Sequence, residues 1–357
     1  MNYNLFKMRF LILIITITLV VSCKKKVNTP VQSSGTKLER CILVLNEGLF
    51  QQNNAHLSMI DLDSLEINNL FFEEKTGRPL GDTGNDMQVY DGKIFIVVNV
   101  SSTLEILDEK TGASIKQISM VENGIPKQPR YITFNANKAY ISCYDGYVDV
   151  LDLTLLTLTN RIKVGANPEQ LAIANNKLYV ANSGGLNFPN VDSTVSVVSL
   201  SSELEINKIV VGKNPGPIVV DNQNDVYVIS RGNYGSIPSR MHRISSASDS
   251  KIQSFPFDAS GFCKMKSDLL ISYVDGAMNK ILKFDAQNET VVSVNFVDVS
   301  SISTFYGMQY STWNDKLYFF DANGYVNAGY VLEYDSNGSY VRKFNVGLIP
   351  NKVVVYE

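Results

Sequence analysis

Histidine is nearly missing from this 357-residue sequence: His56 and His242 are the only two. They lie far apart in the chain, and no Cys-x-x-Cys, His-Glu-x-x-His or Asp-rich calcium loop accompanies them, so the familiar metal-site spacings are excluded. Cysteine is also scarce. Of four, Cys41, Cys143 and Cys263 remain after Cys23, an odd number. Cys41 and Cys143 fall in apolar strand patterns, which predicts buried unpaired thiols over a disulfide framework, with one pair left open. Thiol catalysis would need one of the two histidines as its base. Helical periodicity is almost absent from Leu38 onward, so no Gly-rich loop has a helix N-terminus behind it to receive a phosphate. Excess positive charge is lacking too: the net charge is −3. Without a surplus of Lys and Arg, broad nucleic-acid binding is excluded.

The only long apolar run is Phe10 to Val21, preceded by Lys7 and Arg9 and followed by Ser22-Cys23. A short basic stretch, an apolar run and small residues before the cut describe a secretory leader. The Cys placed directly after it resembles the bacterial lipobox, in which that residue receives the lipid. Residues 1–22 are therefore expected to be a lipoprotein signal peptide, and residues 23–37 a lipidated polar tether with Pro30, Ser33 and Ser34. The run is short for a membrane span. Without the leader, 30 basic residues face 35 acidic ones, a net of −5.

What the sequence has in plenty is short alternating apolar segments divided by Asn, Asp, Gly and Lys. Cys41-Ile-Leu-Val44, Ile94-Phe-Ile-Val97, Ala139-Tyr-Ile-Ser142, Leu178-Tyr-Val-Ala181, Val226-Tyr-Val-Ile229, Leu269-Leu-Ile-Ser272 and Leu317-Tyr-Phe-Phe320 are versions of one strand. With Ile42, Phe95, Tyr140, Tyr179, Tyr227, Leu270 and Tyr318 as markers, the intervals are 53, 45, 39, 48, 43 and 48 residues. A period in the forties with four strands per unit predicts an all-β, seven-bladed β-propeller of four-stranded antiparallel blades over residues 38–357. Gly165-Ala-Asn-Pro168, Gly212-Lys-Asn-Pro215 and Gly347-Leu-Ile-Pro350 each open a blade's first strand. The third leads into Asn351–Tyr356, with only Glu357 beyond, so the C-terminal strand is expected to complete the N-terminal blade and close the ring, leaving no open sheet edge.

Loops between strands one and two, and three and four, are short turns such as Tyr90-Asp-Gly-Lys93. Those on the opposite end are long and rich in amides and aromatics: Asn46–His56, Thr76–Thr83, Asn182–Asn190, Arg231–Arg240 and Asp321–Tyr330. Function on a rigid scaffold concentrates in such loops, and these residue types suit a large neutral ligand with many hydrogen-bonding edges. The candidate ligand-binding set is Phe50, Arg78, Asp82, Asn99, Arg130, Tyr131, Tyr144, Asn182, Phe188, Arg231, Tyr234, Tyr273, Tyr306 and Tyr325. Arg78 and Arg130 stand near first strands, which line the central channel; either could equally satisfy buried carbonyls. The aromatics could equally pack between blades. No catalytic residue, metal ligand or cofactor is expected.

Val164-Gly-Ala-Asn-Pro168 with Leu178-Tyr-Val-Ala-Asn182, and Val211-Gly-Lys-Asn-Pro215 with Val226-Tyr-Val228, resemble the bacterial YVTN-type propellers. Asn46-Glu-Gly-Leu-Phe50, Gly77-Arg-Pro-Leu-Gly-Asp82, Val97-Val-Asn99, Pro129-Arg-Tyr131 and Phe344–Pro350 together resemble the DUF5074-type lipoproteins of Bacteroidota-like Gram-negative bacteria, over residues 40–356. That resemblance implies a non-catalytic outer-membrane lipoprotein, anchored through Cys23, that captures a cobamide such as vitamin B12 for a TonB-dependent transporter. The alternative is a protein-interaction scaffold of the cell envelope with no small-molecule ligand. Lys24-Lys-Lys26 departs from the acidic residues that follow the lipid-bearing Cys in many surface-exported lipoproteins, so a periplasm-facing position stays open beside the cell surface.

Overall fold

The computed structural model describes residues 37–276 and 278–356. The expected leader, Cys23 and the tether up to Thr36 lie outside the described residues. From Lys37 onward the chain forms one compact unit.

Seven four-stranded antiparallel sheets follow one another, as the period predicts. Their first, innermost strands are Pro350–Tyr356 in blade 1, Gly84–Tyr90 in blade 2 and Pro129–Asn135 in blade 3. Those of blades 4 to 7 are Pro168–Ala174, Pro215–Val220, Ala259–Met265 and Phe305–Ser311. The seven marker residues all fall on second strands, and all are buried. A second strand has neighbours on both edges and a blade against each face. It therefore reads as an unbroken apolar run, whereas outer strands such as Thr157–Lys163 are largely exposed.

The core lies between blades, in seven apolar clusters. One joins Phe95, Val97 and Ile106 of blade 2 to Ile132, Ala139 and Ile141 of blade 3. The cluster at the closure joins Tyr318, Phe320 and Phe344 of blade 7 to Ile42, Val44, Val353 and Val355 of blade 1. The terminal strand pairs with Cys41–Asn46 through Cys41↔Tyr356 to Leu45↔Lys352, so the ring is closed by chain ends from one sheet. Buried tyrosines also latch adjacent blades, because a buried hydroxyl needs a partner. The Tyr179 hydroxyl of blade 4 donates to Asp249 of blade 5 at 2.5 Å, and that of Tyr227 in blade 5 donates to the Ala286 carbonyl of blade 6 at 3.3 Å.

The repeated Gly-x-x-Pro turn has a steric cause. A Cβ on Gly165 would lie 2.4 Å from Asn182 Cγ, one on Gly212 2.5 Å from Ser230 Oγ, and one on Gly347 1.9 Å from His56 Nε2. Each turn thus lies directly on polar side chains of the second and third strands, and only glycine leaves room for them. Among the described residues one α-helix interrupts the β pattern: Phe71–Thr76 fills the connection between blades 1 and 2, with Phe71 and Phe72 buried. It ends on Gly77, whose left-handed φ of 73° closes the last turn.

Candidate functional site

Because each first strand begins at the same end of the ring, its opening residues converge on the channel axis. They form a mouth of about 370 Å³, lined from all seven blades. The contributors include Asn351 and Lys352 (blade 1), Asn85 (blade 2), Arg130 and Tyr131 (blade 3) and Gln170 (blade 4). Pro217, Phe262 and Tyr306 represent blades 5, 6 and 7, and Glu47 and Arg231 reach in from loops. A second cavity of about 260 Å³ is lined by residues further along the same inner strands, including Gln88, Lys264 and Gln309.

The charges at the mouth are organised around Arg130. Its Nη2 lies 3.1 Å from Glu169 Oε2, and Asn85 Oδ1 accepts from its Nη1. The Tyr144 hydroxyl donates to the other oxygen, Glu169 Oε1, at 2.6 Å, and the Tyr144 ring lies 4.7 Å from the guanidinium. Burial alone would push the Glu169 carboxyl up, but Arg130 and Arg231 outweigh it and hold it below the usual carboxylate range. Glu47 shows the opposite outcome: burial raises its carboxyl, although the Tyr306 hydroxyl donates to Oε2 at 2.5 Å. Burial opposes the Lys352 charge as well, but Asp86, 3.2 Å away, outweighs it and keeps the ammonium charged.

Of the residues expected from sequence, Arg130, Tyr131, Arg231 and Tyr306 line the mouth. Tyr144 joins them through Glu169, and Tyr325 meets the Tyr306 ring edge-on at 6.0 Å. Tyr234 sits in the blade-5 loop, its hydroxyl accepting from Asn214 at 3.1 Å. Phe50 and Phe188 are exposed on loop tips at the same end. The remaining five hold loops or blades together. Arg78 forms a two-pronged ion pair with the buried Glu105. Asp82 accepts the Gln51 and Asn53 N–H groups at 3.1 and 3.0 Å. Asn99 donates to the Pro129 carbonyl at 3.0 Å, and Asn182 lies beneath Gly165, bonded to Thr194 and Ser196. Tyr273 donates to the Val294 carbonyl at 2.8 Å, within its own blade.

Sequence reasoning missed Glu47, Asn85, Glu169, Gln170, Asn351 and Lys352. All except Glu47 occupy the second or third residue of a first strand, directly after the blade-opening turn. Aligning the seven repeats at that position would have collected them.

Cys41, Cys143 and Cys263 are free and buried. Burial pushes the Cys41 and Cys263 thiols up to about 12, which leaves little thiolate at neutral pH. His242 hydrogen-bonds Ser230 through Nε2 and Ser254 through Nδ1, both at 2.8 Å, and burial holds it down to about 4. Among the described residues, no group of three or more His, Cys, Asp or Glu is placed to hold a metal ion.

Seven such blades around a polar channel make the protein a seven-bladed β-propeller. The chain belongs to the family described as a domain of unknown function, DUF5074, whose model matches residues 40–348. No curated protein matches the sequence. Among solved structures, the chain is similar to a quinoprotein alcohol dehydrogenase-like protein from Bacteroides thetaiotaomicron, at 13% identity and a TM-score of 0.66, over 89% of this chain and 79% of that one. It is also similar to hydrazine synthase from Kuenenia stuttgartiensis, at 14% identity and a TM-score of 0.60, over 72% of this chain and 84% of that one. At such identities the likeness shows the fold alone.

Proposed function

We propose that the propeller is a non-catalytic capture protein whose ligand seats on the channel mouth. The observation that carries this reading is convergence: side chains from seven blades meet at one polar opening. Around it stand Phe50, Phe188, Tyr234 and Tyr325, large apolar side chains between 47% and 73% exposed. Exposed aromatics beside convergent polar groups are the usual makings of a recognition surface. The three thiols are buried away from the mouth, and His242 is bonded to two serines.

The family resemblance supplies the ligand: a cobamide, passed on to a TonB-dependent transporter by a lipoprotein anchored in the outer membrane through Cys23 and facing the cell surface. A corrinoid is broader than a cavity of about 370 Å³, so it would lie across the mouth, its edge amides on the inner-strand groups and its faces against the aromatic tips. Calorimetric titration with cyanocobalamin tests this; absence of binding at micromolar concentrations rejects the corrinoid.

The same exposed tips favour a second reading, a docking surface for an envelope protein with no small molecule. Recovery of a stable membrane partner on the full chain without added ligand would support it.

A further inference from the structure

We propose that Arg231 is the oxyanion anchor of the mouth, offering an unpaired guanidinium to a phosphate or carboxylate on the ligand. This rests on the capture reading and deepens it by naming the ligand's charged group.

In six blades the second residue of the first strand has a side chain: Asn85, Arg130, Glu169, Ser260, Tyr306 and Asn351. Blade 5 has Gly216 there. A Cβ on Gly216 would lie 2.1 Å from Arg231 Nη1 and 2.6 Å from Nη2. The guanidinium therefore lies against the bare backbone, filling the space of the missing side chain. Its own backbone is pinned by the Arg231 N–H donating to the Asn214 carbonyl at 2.9 Å. Pro217, next along the strand, has no N–H, so Arg231 supplies the donors of this sector.

The guanidinium has no counterion of its own. Glu169 is the carboxylate whose charge it feels, yet both oxygens there are taken, Oε1 by Tyr144 and Oε2 by Arg130. Among the described residues, no carboxylate forms an ion pair with Arg231 and no hydrogen bond engages its side chain. Leaving a half-buried cation unpaired is costly, and Arg is the residue whose planar fork meets carboxylates and phosphates with two parallel hydrogen bonds. Every other cation lining the mouth is already matched: Arg130 with Glu169, Lys352 with Asp86.

The test is chemical footprinting of the full-length chain with phenylglyoxal, read by peptide mass spectrometry, in chloride, inorganic phosphate or acetate at one ionic strength. Arg231 is expected to label several-fold faster than the paired Arg130. Phosphate or acetate should slow Arg231 alone by 1 + [anion]/Kd, about tenfold at ten times Kd. The anion that protects at lower concentration assigns phosphate or carboxylate. Arg231 labelling that is unchanged by either anion, or no faster than that of Arg130, overturns the proposal. Cyanocobalamin separates this outcome from the capture reading. If it binds while neither anion protects Arg231, the anchor alone fails; if an anion protects while cyanocobalamin does not bind, the corrinoid alone fails.

Discussion

Replacing Glu169 with Gln keeps the shape of the mouth and removes its central charge. In the native protein Glu169 accepts from Arg130 at 3.1 Å and from Tyr144 at 2.6 Å, and it is 5% exposed. Removing one member of a buried ion pair costs about 3–5 kcal/mol, because the partner's charge is left uncompensated. Arg130 keeps Asn85 and some solvent access, its side chain being 17% exposed, so the low end applies, about 3 kcal/mol. With a urea slope of about 3 kcal/mol/M, the unfolding midpoint should fall by about 1 M, as followed by circular dichroism. Removing both charges together, as Arg130→Met with Glu169→Leu, should recover most of the loss, since the penalty belongs to the orphaned charge. A midpoint shift below about 0.3 M for Glu169→Gln alone would refute the reasoning. The pH dependence gives a second check. A carboxyl held down in the folded state contributes stability above its unfolded value of about 4.3, and that contribution is lost as pH falls through the folded pKa. Glu169→Gln should lack that acid-side loss.

A loss of the same sign, beginning at higher pH, is expected from His242. Held down to about 4 against an unfolded value of about 6.5, it is charged first in the unfolded chain, so stability falls as pH drops from 6.5 towards 4. Discounted for partial solvent access, the effect is about 1–3 kcal/mol, and His242→Gln should flatten it in melting curves between pH 7 and 4.5. Gly165→Ala forces a Cβ to 2.4 Å from Asn182 and should cost about 1–3 kcal/mol in urea titration; a neutral result would remove the steric explanation of the turn. Deleting residues 350–357 opens both the Cys41–Asn46 edge and the interface with blade 7, and size-exclusion chromatography should show aggregation. A monomer of unchanged melting temperature would show that closure contributes nothing. Cys23→Ser should abolish radiolabelled palmitate incorporation and release the protein from membrane fractions.

The fold was legible because each blade buries the same kind of second strand. Tyr140, Tyr179, Tyr227 and Tyr318 mark the repeat, and the unmatched segment after Gly347 shows where the ring closes. The helix Phe71–Thr76 left no sustained period to read, since its six residues span less than two turns. The site was legible only in part. Arg130, Tyr131 and Tyr306 stand out as large polar or aromatic groups near blade openings. Glu169, Asn85 and Asn351 do not, since their meaning comes from a ring that brings chain positions 85 and 351 to one mouth and position 169 to Arg130. Long loops drew attention to Asp82 and Asn182, and the family resemblance to Asn99, but connections between strands also need buried acceptors and donors for their own backbone, and that is where these side chains are used. The ion pair of Arg78 was not legible for a related reason: Glu105, its partner, lies 27 residues further on, on a strand of the next blade.

Hydrogen–deuterium exchange of the chain with and without cyanocobalamin tests the capture surface most directly. The account predicts slower exchange confined to the opening residues of the inner strands and to the tips at 47–55, 183–193, 231–239 and 322–327. Protection instead at the turns of the opposite end, around 91–92, 136–137 and 175–176, or no change anywhere, would contradict it.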